Sequence, residues 1–504
     1  MSFPNSPDTD QYKKASLLAL ADELLLMILD GLPLKALKAF ALTCDAMNKV
    51  ASSLLYETVK LRLYSPDLTK LNKFVRLVCT LSLSKRDLGP NVKYMKLNFH
   101  SARNTDILAG QRVPEEDLKQ ILSKEFADGL EGLVLDVPDF VEKLSRGLPL
   151  AYYRLLLLSC SNIRGISIKT NHPIDDIWYF NLSLSQNQER YKHIEQLNWY
   201  FDGDFDERAN ANDRMLSRLG QLQSLSTLKI VLNVQWESFG SSRFPLGHLR
   251  HLDLMACEAP LKSLQNLLTS TPKLICLRLD LVENFMSPKV DSPEGLCHIF
   301  AQTPKHVTPT DPIYAEKAWQ ASLQSLAIQV RPRRSTSRKQ PHPPNWPGFG
   351  RGIGSLKHFS SLTYLEATSG LLYGNDLQAP PILNRAFPDS LKCLWLDRCE
   401  FLIEMRSAGD PLQYCDIAIT MKHYAERQTR LPNLKRLGLD PEIYYRVDIK
   451  EYHRYHGILS SSLQQCGMEL VDHIRNQWWD RPDLFQTFEK GKNLPFSFNW
   501  AQPH

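Results

Sequence analysis

The sequence predicts an α/β protein in two parts: a short all-helical module at the N-terminus, then an irregular solenoid of strand–helix repeats with a helical C-terminal cap. Three observations predict it. Apolar residues near the N-terminus recur at helical spacing. Downstream, the pattern apolar-x-x-apolar-x-apolar keeps returning, with eleven copies read as repeats by their context. Between several copies lie amphipathic stretches of helical period. At 504 residues the chain exceeds one compact core; a repeat array resolves this, because each repeat packs only on its neighbours.

The bulk properties exclude several classes. Hydrophobic residues make up 43% and charged residues 23%, ordinary for a folded protein. The net charge of +5, from 60 basic and 55 acidic residues, is too dilute to imply a nucleic-acid or membrane partner, so neither is expected. Ten cysteines are scattered singly with no C-x-x-C pair, which argues against a disulfide framework or structural zinc and for reduced thiols. The N-terminus, MSFPNSPDTDQYKK, lacks the basic-then-apolar layout of a signal peptide. The apolar stretch from Leu24 to Leu29 is far shorter than the about 20 residues a membrane span needs. A cytoplasmic and/or nuclear protein is expected.

Residues 1–15 read as a disordered N-terminus and 16–60 as the helical module. Leu24, Leu25, Ile28 and Leu29 define a first helix, with Asp22 as N-cap and Gly31 as stop. Leu34 opens a second, whose apolar face is Leu37, Ala41, Leu42 and Cys44, and a third runs around Val50 to Tyr56. So small a unit buries little surface alone, and its apolar excess suits a face that waits for a partner.

These residues resemble the F-box family, whose pattern runs roughly L-P-x-E-L-L-x-x-I-L-x-x-L-x-x-x-D-L before a small-residue helix with cysteine. The chain matches at Leu20, Glu23, Leu24, Leu25, Ile28, Leu29, Leu32, Leu37 and Cys44. It departs at Ala21, where proline is usual, at Ala36, where aspartate is usual, and at Asp45, where a basic residue is common. The resemblance implies that the matched residues, with Pro33, bind the Skp-type adaptor of a Skp–cullin–F-box ubiquitin ligase.

The repeat pattern begins at Val92, Leu130, Ile163, Ile194, Leu225, Leu249, Leu274, Leu323, Leu362, Leu391 and Leu434. Polar or proline turns (TPK, PDS, LPN) introduce many copies. Helical stretches are expected at Leu118–Phe126, at Met215–Leu222 and at Leu261–Leu268. Strand alternating with helix is the leucine-rich-repeat signature, and the chain resembles degenerate fungal F-box proteins with such repeats. The solenoid is assigned to residues 61–445, with a basic, proline-rich disordered insertion at 331–351. Residues 446–504 form the cap: a helix carrying Leu459, Leu463, Cys466 and Leu470, then an aromatic tail with Trp478 and Trp479.

Enzyme motifs are absent: no G-x-S-x-G elbow, no G-x-x-x-x-G-K-[ST] loop and no H-E-x-x-H. The run GFGRGIG, with Gly348, Gly350, Gly352 and Gly354, starts in the proline-rich insertion and is not at a strand-to-helix turn. FDGDFDERANAND has carboxylates at calcium-loop spacing but Glu207 in place of the required glycine, so it reads as a solvated acidic loop. His453 and His456 lack a third ligand nearby. The run Arg331, Arg333, Arg334, Arg338, Lys339 reads either as a solvated linker or as an import signal, with Ser335, Thr336 and Ser337 as modifiable neighbours. No catalytic residue, cofactor or metal is expected.

Binding is expected on the strand face. In each repeat the third and fifth positions point away from the core. They include Tyr94, Lys96, His251, Asp253, Arg278, Tyr364, Glu366, Trp395 and Arg436, together with Gln196, Asn198 and Lys229. Tryptophan, tyrosine and arginine are hot-spot residues; Trp395 alternatively packs beneath a neighbouring insertion. The function expected is non-enzymatic: the module docks on the adaptor and its cullin scaffold, and the arc holds a substrate protein. The alternative is an interaction scaffold outside any ligase.

Overall fold

The computed structural model describes residues 20–64, 68–83, 88–100, 119, 121–131, 134, 136–146, 149–170, 191–201, 209–211, 219, 222–236, 246–258, 261–282, 299–300, 318–331, 353–368, 387–397, 431–439, 457–458 and 460–472. The chain is mixed α/β with N-terminal helices and parallel strands, and divides into two units. The first holds residues 1–209 and 214–227, the second 210–213 and 228–504. The calls on 1–15, 331–351 beyond Arg331, 202–208, His453, His456, Trp478 and Trp479 lie outside the described residues.

The first unit opens with α1 (Asp22–Asp30), α2 (Leu34–Ala41) and α3 (Asp45–Leu55). Leu25, Leu29, Leu37, Met47, Val50 and Ala51 form their shared core. The N-cap of α1 is Ala21, not Asp22; Asp22 and Glu23 fall in the first turn, where acidic groups complement the helix dipole. The third helix begins five residues earlier than the apolar pattern suggests, at Asp45.

Then follow β1 (Thr58–Tyr64), α4 (Leu68–Leu83), a 3-10 turn (Gly89–Asn91), β2 (Tyr94–His100), α5 (Lys124–Leu130), α6 (Val137–Ser145), α7 (Pro149–Ser159), β3 (Gly165–Thr170) and β4 (Gln196–Phe201). The strands pair in chain order, β1 to β2 to β3 to β4, all parallel. Parallel neighbours need a crossover, which α4 and α7 provide. Every residue from Ala151 to Leu158 is buried, as expected of a helix apolar around its girth. Phe74 of α4 lies 4.6 Å from the ring of Tyr153, and the Tyr152 hydroxyl donates to the Leu144 carbonyl at 3.1 Å.

α5 ends at Leu130, where one repeat copy begins, and Gly132, Leu133 and Leu135 of that copy lie outside the described residues. The Asp136 side chain caps α6 by accepting from the Asp139 N–H at 3.0 Å. One expectation fails here. The helix expected across Leu118–Phe126 is broken at Ser123, whose hydroxyl accepts from the Phe126 N–H at 3.2 Å and starts α5 anew.

The second unit carries β5 (Ala209–Ala211), β6 (Thr227–Trp236), β7 (His251–Glu258), α8 (Leu261–Thr269), β8 (Cys276–Val282), α9 (Ala318–Ser322), β9 (Ser325–Arg331), β10 (Tyr364–Thr368), β11 (Cys393–Asp397), β12 (Arg436–Leu439) and β13 (Glu469–Asp472), with β5 and β6 beginning at the boundary. Strands β6 to β13 are neighbours in chain order, with β5 on β6. Every register described from β7 to β13 is parallel. A tight turn leads into the strands: Leu249 N–H returns to Leu246 O at 3.0 Å, and Leu362 N–H to Phe359 O at 3.0 Å. The residues at the strand entries are sealed: Leu249, Leu274, Leu323, Leu362 and Leu391 are all at 0% exposure. Carbonyls then stitch neighbours together; Gln324 O accepts from both Thr363 and Tyr364 N–H, at 2.8 and 3.1 Å.

Beneath the strands Leu264, Leu267 and Leu268 of α8 are buried, and Trp319 packs edge-on to Phe300 at 5.8 Å. The helix expected through Leu470 stops short. Residues 460–465 are helical, Gly467 turns the chain at φ +71°, a value glycine tolerates best, and Leu470 lies in β13.

Candidate protein-interaction surfaces

The ten residues assigned to adaptor binding divide into two sets. Leu25, Leu29 and Leu37 belong to the module's own core. Glu23, Leu24, Ile28, Pro33 and Cys44 are exposed, and Leu20 and Leu32 half-buried. The division follows from α1 having two apolar stripes: Leu25 and Leu29 meet the core of α2 and α3, while Leu24 and Ile28, four apart, share the other face. Met27, absent from the sequence assignment, joins that face, as its spacing of three from Leu24 could have signalled. Leu34 and Leu42 are exposed as well.

This concentration is specific. Among the described residues seven large hydrophobic side chains are exposed, and five of them are Leu24, Met27, Ile28, Leu34 and Leu42 of the module. Leu24 and Ile28 are 49% and 47% exposed, Met27 75%.

The outward strand positions of the first unit carry Tyr94, Lys96, Gln196 and Asn198, all half-buried. Burial is the main cause raising the Tyr94 phenol above its usual value. At the strand entries Lys93 pairs with Glu57 at 2.9 Å.

In the second unit the outward positions build a charged row. Lys229 pairs with Asp253 at 3.2 Å, and Asp253 lies beside Arg278 in register. Burial would lower the Arg278 guanidinium, but Asp253, Glu366 and Asp280 override it and raise the group. Glu366 accepts from the Gln329 amide at Oε1 and from the Tyr364 hydroxyl at Oε2, the latter at 3.0 Å. Burial nonetheless raises its carboxyl, against Arg278 and both hydrogen bonds. Burial likewise holds the Tyr364 phenol well above its usual value.

Sequence left Trp395 either exposed or packed, and the structure shows it packed. Trp395, Glu366 and Tyr364 are 3%, 6% and 9% exposed. The Trp395 indole lies over Gly438, which has no side chain to hold it off. His251, Asp253 and Arg278 are half-buried, and Arg436 is exposed beside Glu469 at 3.1 Å. Sequence reading missed Asp280 and Gln329, both buried; each is two residues beyond a repeat's fifth position, where strand alternation continues. With two donors on Glu366, this row is built to hold strands together. Among the described residues no cluster of three metal-ligating side chains occurs, and no helix is long and apolar enough to cross a membrane.

Comparison with protein-family models and with curated proteins gives no match for this chain.

Proposed function

We propose that this chain is the substrate-recognition subunit of a Skp–cullin–F-box ubiquitin ligase. The observation that carries the reading is the apolar face of Leu24, Met27 and Ile28 on a module already holding its own core. Contiguous apolar surface of this kind marks a partner site, and the resemblance of residues 20–44 to the F-box makes that partner the Skp-type adaptor. The strands, parallel and taken in chain order, support reading the rest as a leucine-rich-repeat arc with a cap over residues 446–504. The arc would hold a substrate protein, and the chain would contribute proximity rather than chemistry.

Co-purification with a Skp-type adaptor is the test. The unaltered protein retains the adaptor, and Ile28→Asp loses it while remaining folded. An unaltered protein that fails to retain adaptor in a direct pull-down defeats the ligase reading and leaves an interaction scaffold.

A further inference from the structure

The turns that lead into the strands of the second unit carry Arg250, Lys273, Lys357, Lys392 and Lys435, all exposed. Among the described residues none of these five side chains is ion-paired. We propose that this strand-entry edge binds an extended, carboxylate-rich segment of a protein partner.

Backbone hydrogen bonds place the cations along one line. Ile275 N–H donates to Arg250 O, Gln324 N–H to Ile275 O, and Thr363 N–H to Gln324 O, each at 2.8 Å. Lys392 N–H then donates to Thr363 O at 2.8 Å, and Lys435 N–H to Lys392 O at 2.9 Å. Arg250, Lys392 and Lys435 therefore share one row that runs from β7 to β12. Neighbouring strands lie about 4.8 Å apart, so the row is about 24 Å long. Lys273 and Lys357 lie in the turns just before β8 and β10. Lys392 and Lys435 are immediate neighbours, and like charges side by side on adjacent strands destabilise a sheet. A ligand of opposite charge removes that penalty.

Acidic groups do not offset this edge. The described acids there are Asp389 and Glu469, and Glu469 already pairs with Arg436 at 3.1 Å. The strand entries of the first unit are balanced instead, with Lys93 on Glu57 at 2.9 Å and Arg164 beside Glu195. Outward positions within the second unit's strands also mix signs, Lys229 pairing with Asp253 at 3.2 Å.

The chemistry favours carboxylates on a protein chain. Four of the five cations are lysines, compact point charges, whereas phosphate recognition favours the bidentate fork of arginine. Single-stranded nucleic acid needs aromatic rings on which its bases stack, and Phe359 and Phe387 at these entries are buried. A lipid surface needs apolar side chains to insert beside the cations. Among the described residues no exposed large hydrophobic lies in these turns. An extended chain advances about 3.4 Å per residue, so about seven residues span the row.

The proposal rests on the substrate-recognition reading only for calling this partner a substrate. Its test uses the full-length protein and a fluorescein-labelled peptide of about eight consecutive glutamates. Anisotropy should rise on binding, with affinity falling steeply as salt rises. Arg250→Ala/Lys392→Ala/Lys435→Ala should weaken binding by about tenfold or more. Lys60→Ala/Lys124→Ala/Arg164→Ala removes equal charge from exposed positions of the first unit and should leave affinity within about twofold. No rise in anisotropy, equal loss in both triple variants, or no loss in the first overturns the proposal. Displacement of the labelled peptide by oligothymidylate or by phosphatidylserine vesicles, at a lower anionic charge than unlabelled peptide requires, overturns it in favour of that partner. Adaptor co-purification on the same preparation keeps this outcome separate from the ligase reading, because both triple variants leave the module face intact.

Discussion

The indole of Trp395 on β11 lies against the α-carbon of Gly438, its register neighbour on β12. A β-carbon at Gly438 would overlap the ring atoms Cε3, Cζ3 and Cδ2, so a large residue on one strand requires the smallest on the next.

Gly438→Ala should therefore destabilise the second unit by about 1–3 kcal/mol through overpacking, and Trp395→Ala by about 3–5 kcal/mol. The two must not add. With the indole gone, Gly438→Ala should cost far less, because the clash has no second partner. Urea unfolding of the two single variants and the double variant gives the coupling; strict additivity would refute the contact.

The two stripes of α1 predict opposite outcomes for two neighbouring substitutions. Leu25→Asp buries an unpaired charge among Leu29, Leu37 and Met47 and should unfold the module. Ile28→Asp adds a charge to a side chain already 47% exposed and should alter stability by no more than about 0.5 kcal/mol. Hydrogen exchange of residues 22–55 separates them. Equal protection in both variants would contradict the assignment of Leu25 to the core.

Ala21 has backbone angles of φ −62° and ψ 149°, values proline adopts without strain. Its carbonyl accepts the Leu24 and Leu25 N–H groups at 3.0 and 3.1 Å, which proline preserves. Ala21→Pro should stabilise the module by about 0.4–1 kcal/mol by restricting the unfolded chain. A lowered melting temperature would show that the Ala21 N–H or the preceding Leu20 conformation matters.

Glu366 predicts a pH dependence. Burial raises its carboxyl, so the folded state holds the proton more tightly than the unfolded chain does. Stability from this group is complete below the ordinary carboxylate value and is lost as pH rises through the folded value. Glu366→Gln removes the titration and should flatten stability across the range from about pH 4 to pH 8. Glu366→Ala strands the Gln329 and Tyr364 donors and should cost about 1–3 kcal/mol. Urea midpoints across that range decide it; an unchanged slope in the glutamine variant sinks the argument.

Cysteine reactivity should follow burial. Burial pushes the Cys160 and Cys393 thiols up to about 12, leaving almost no thiolate at neutral pH, whereas Cys44 is exposed. Iodoacetamide should label Cys44 before Cys160 and Cys393, with mass spectrometry of timed digests as readout. Early labelling of Cys160 would mean that its strand entry opens readily.

The sequence by itself determined the local periodicities. Ten of the eleven apolar patterns are strands, because one buried turn residue and two alternating inward residues suffice to define each, and that information lies within a single pattern. It also placed Leu34 at the start of α2. Where local signals compete, the pattern misled. The helix expected across Leu118–Phe126 is interrupted at Ser123, and Gly467 diverted the chain toward β13, whose Leu470 reads equally as helical. Tertiary structure alone decided which apolar and polar groups are covered. Leu25 and Leu29 are buried while Leu24 and Ile28 are exposed, because Met47 and Val50 of α3 occupy only one side of α1. Trp395, Glu366 and Gln329 occupy outward positions yet are buried, because register places glycine beside the indole and two donors beside the carboxylate. The α1–α3, Gln329–Glu366 and Trp395–Gly438 contacts join residues far apart in the chain, and no periodicity within a single helix or strand encodes them.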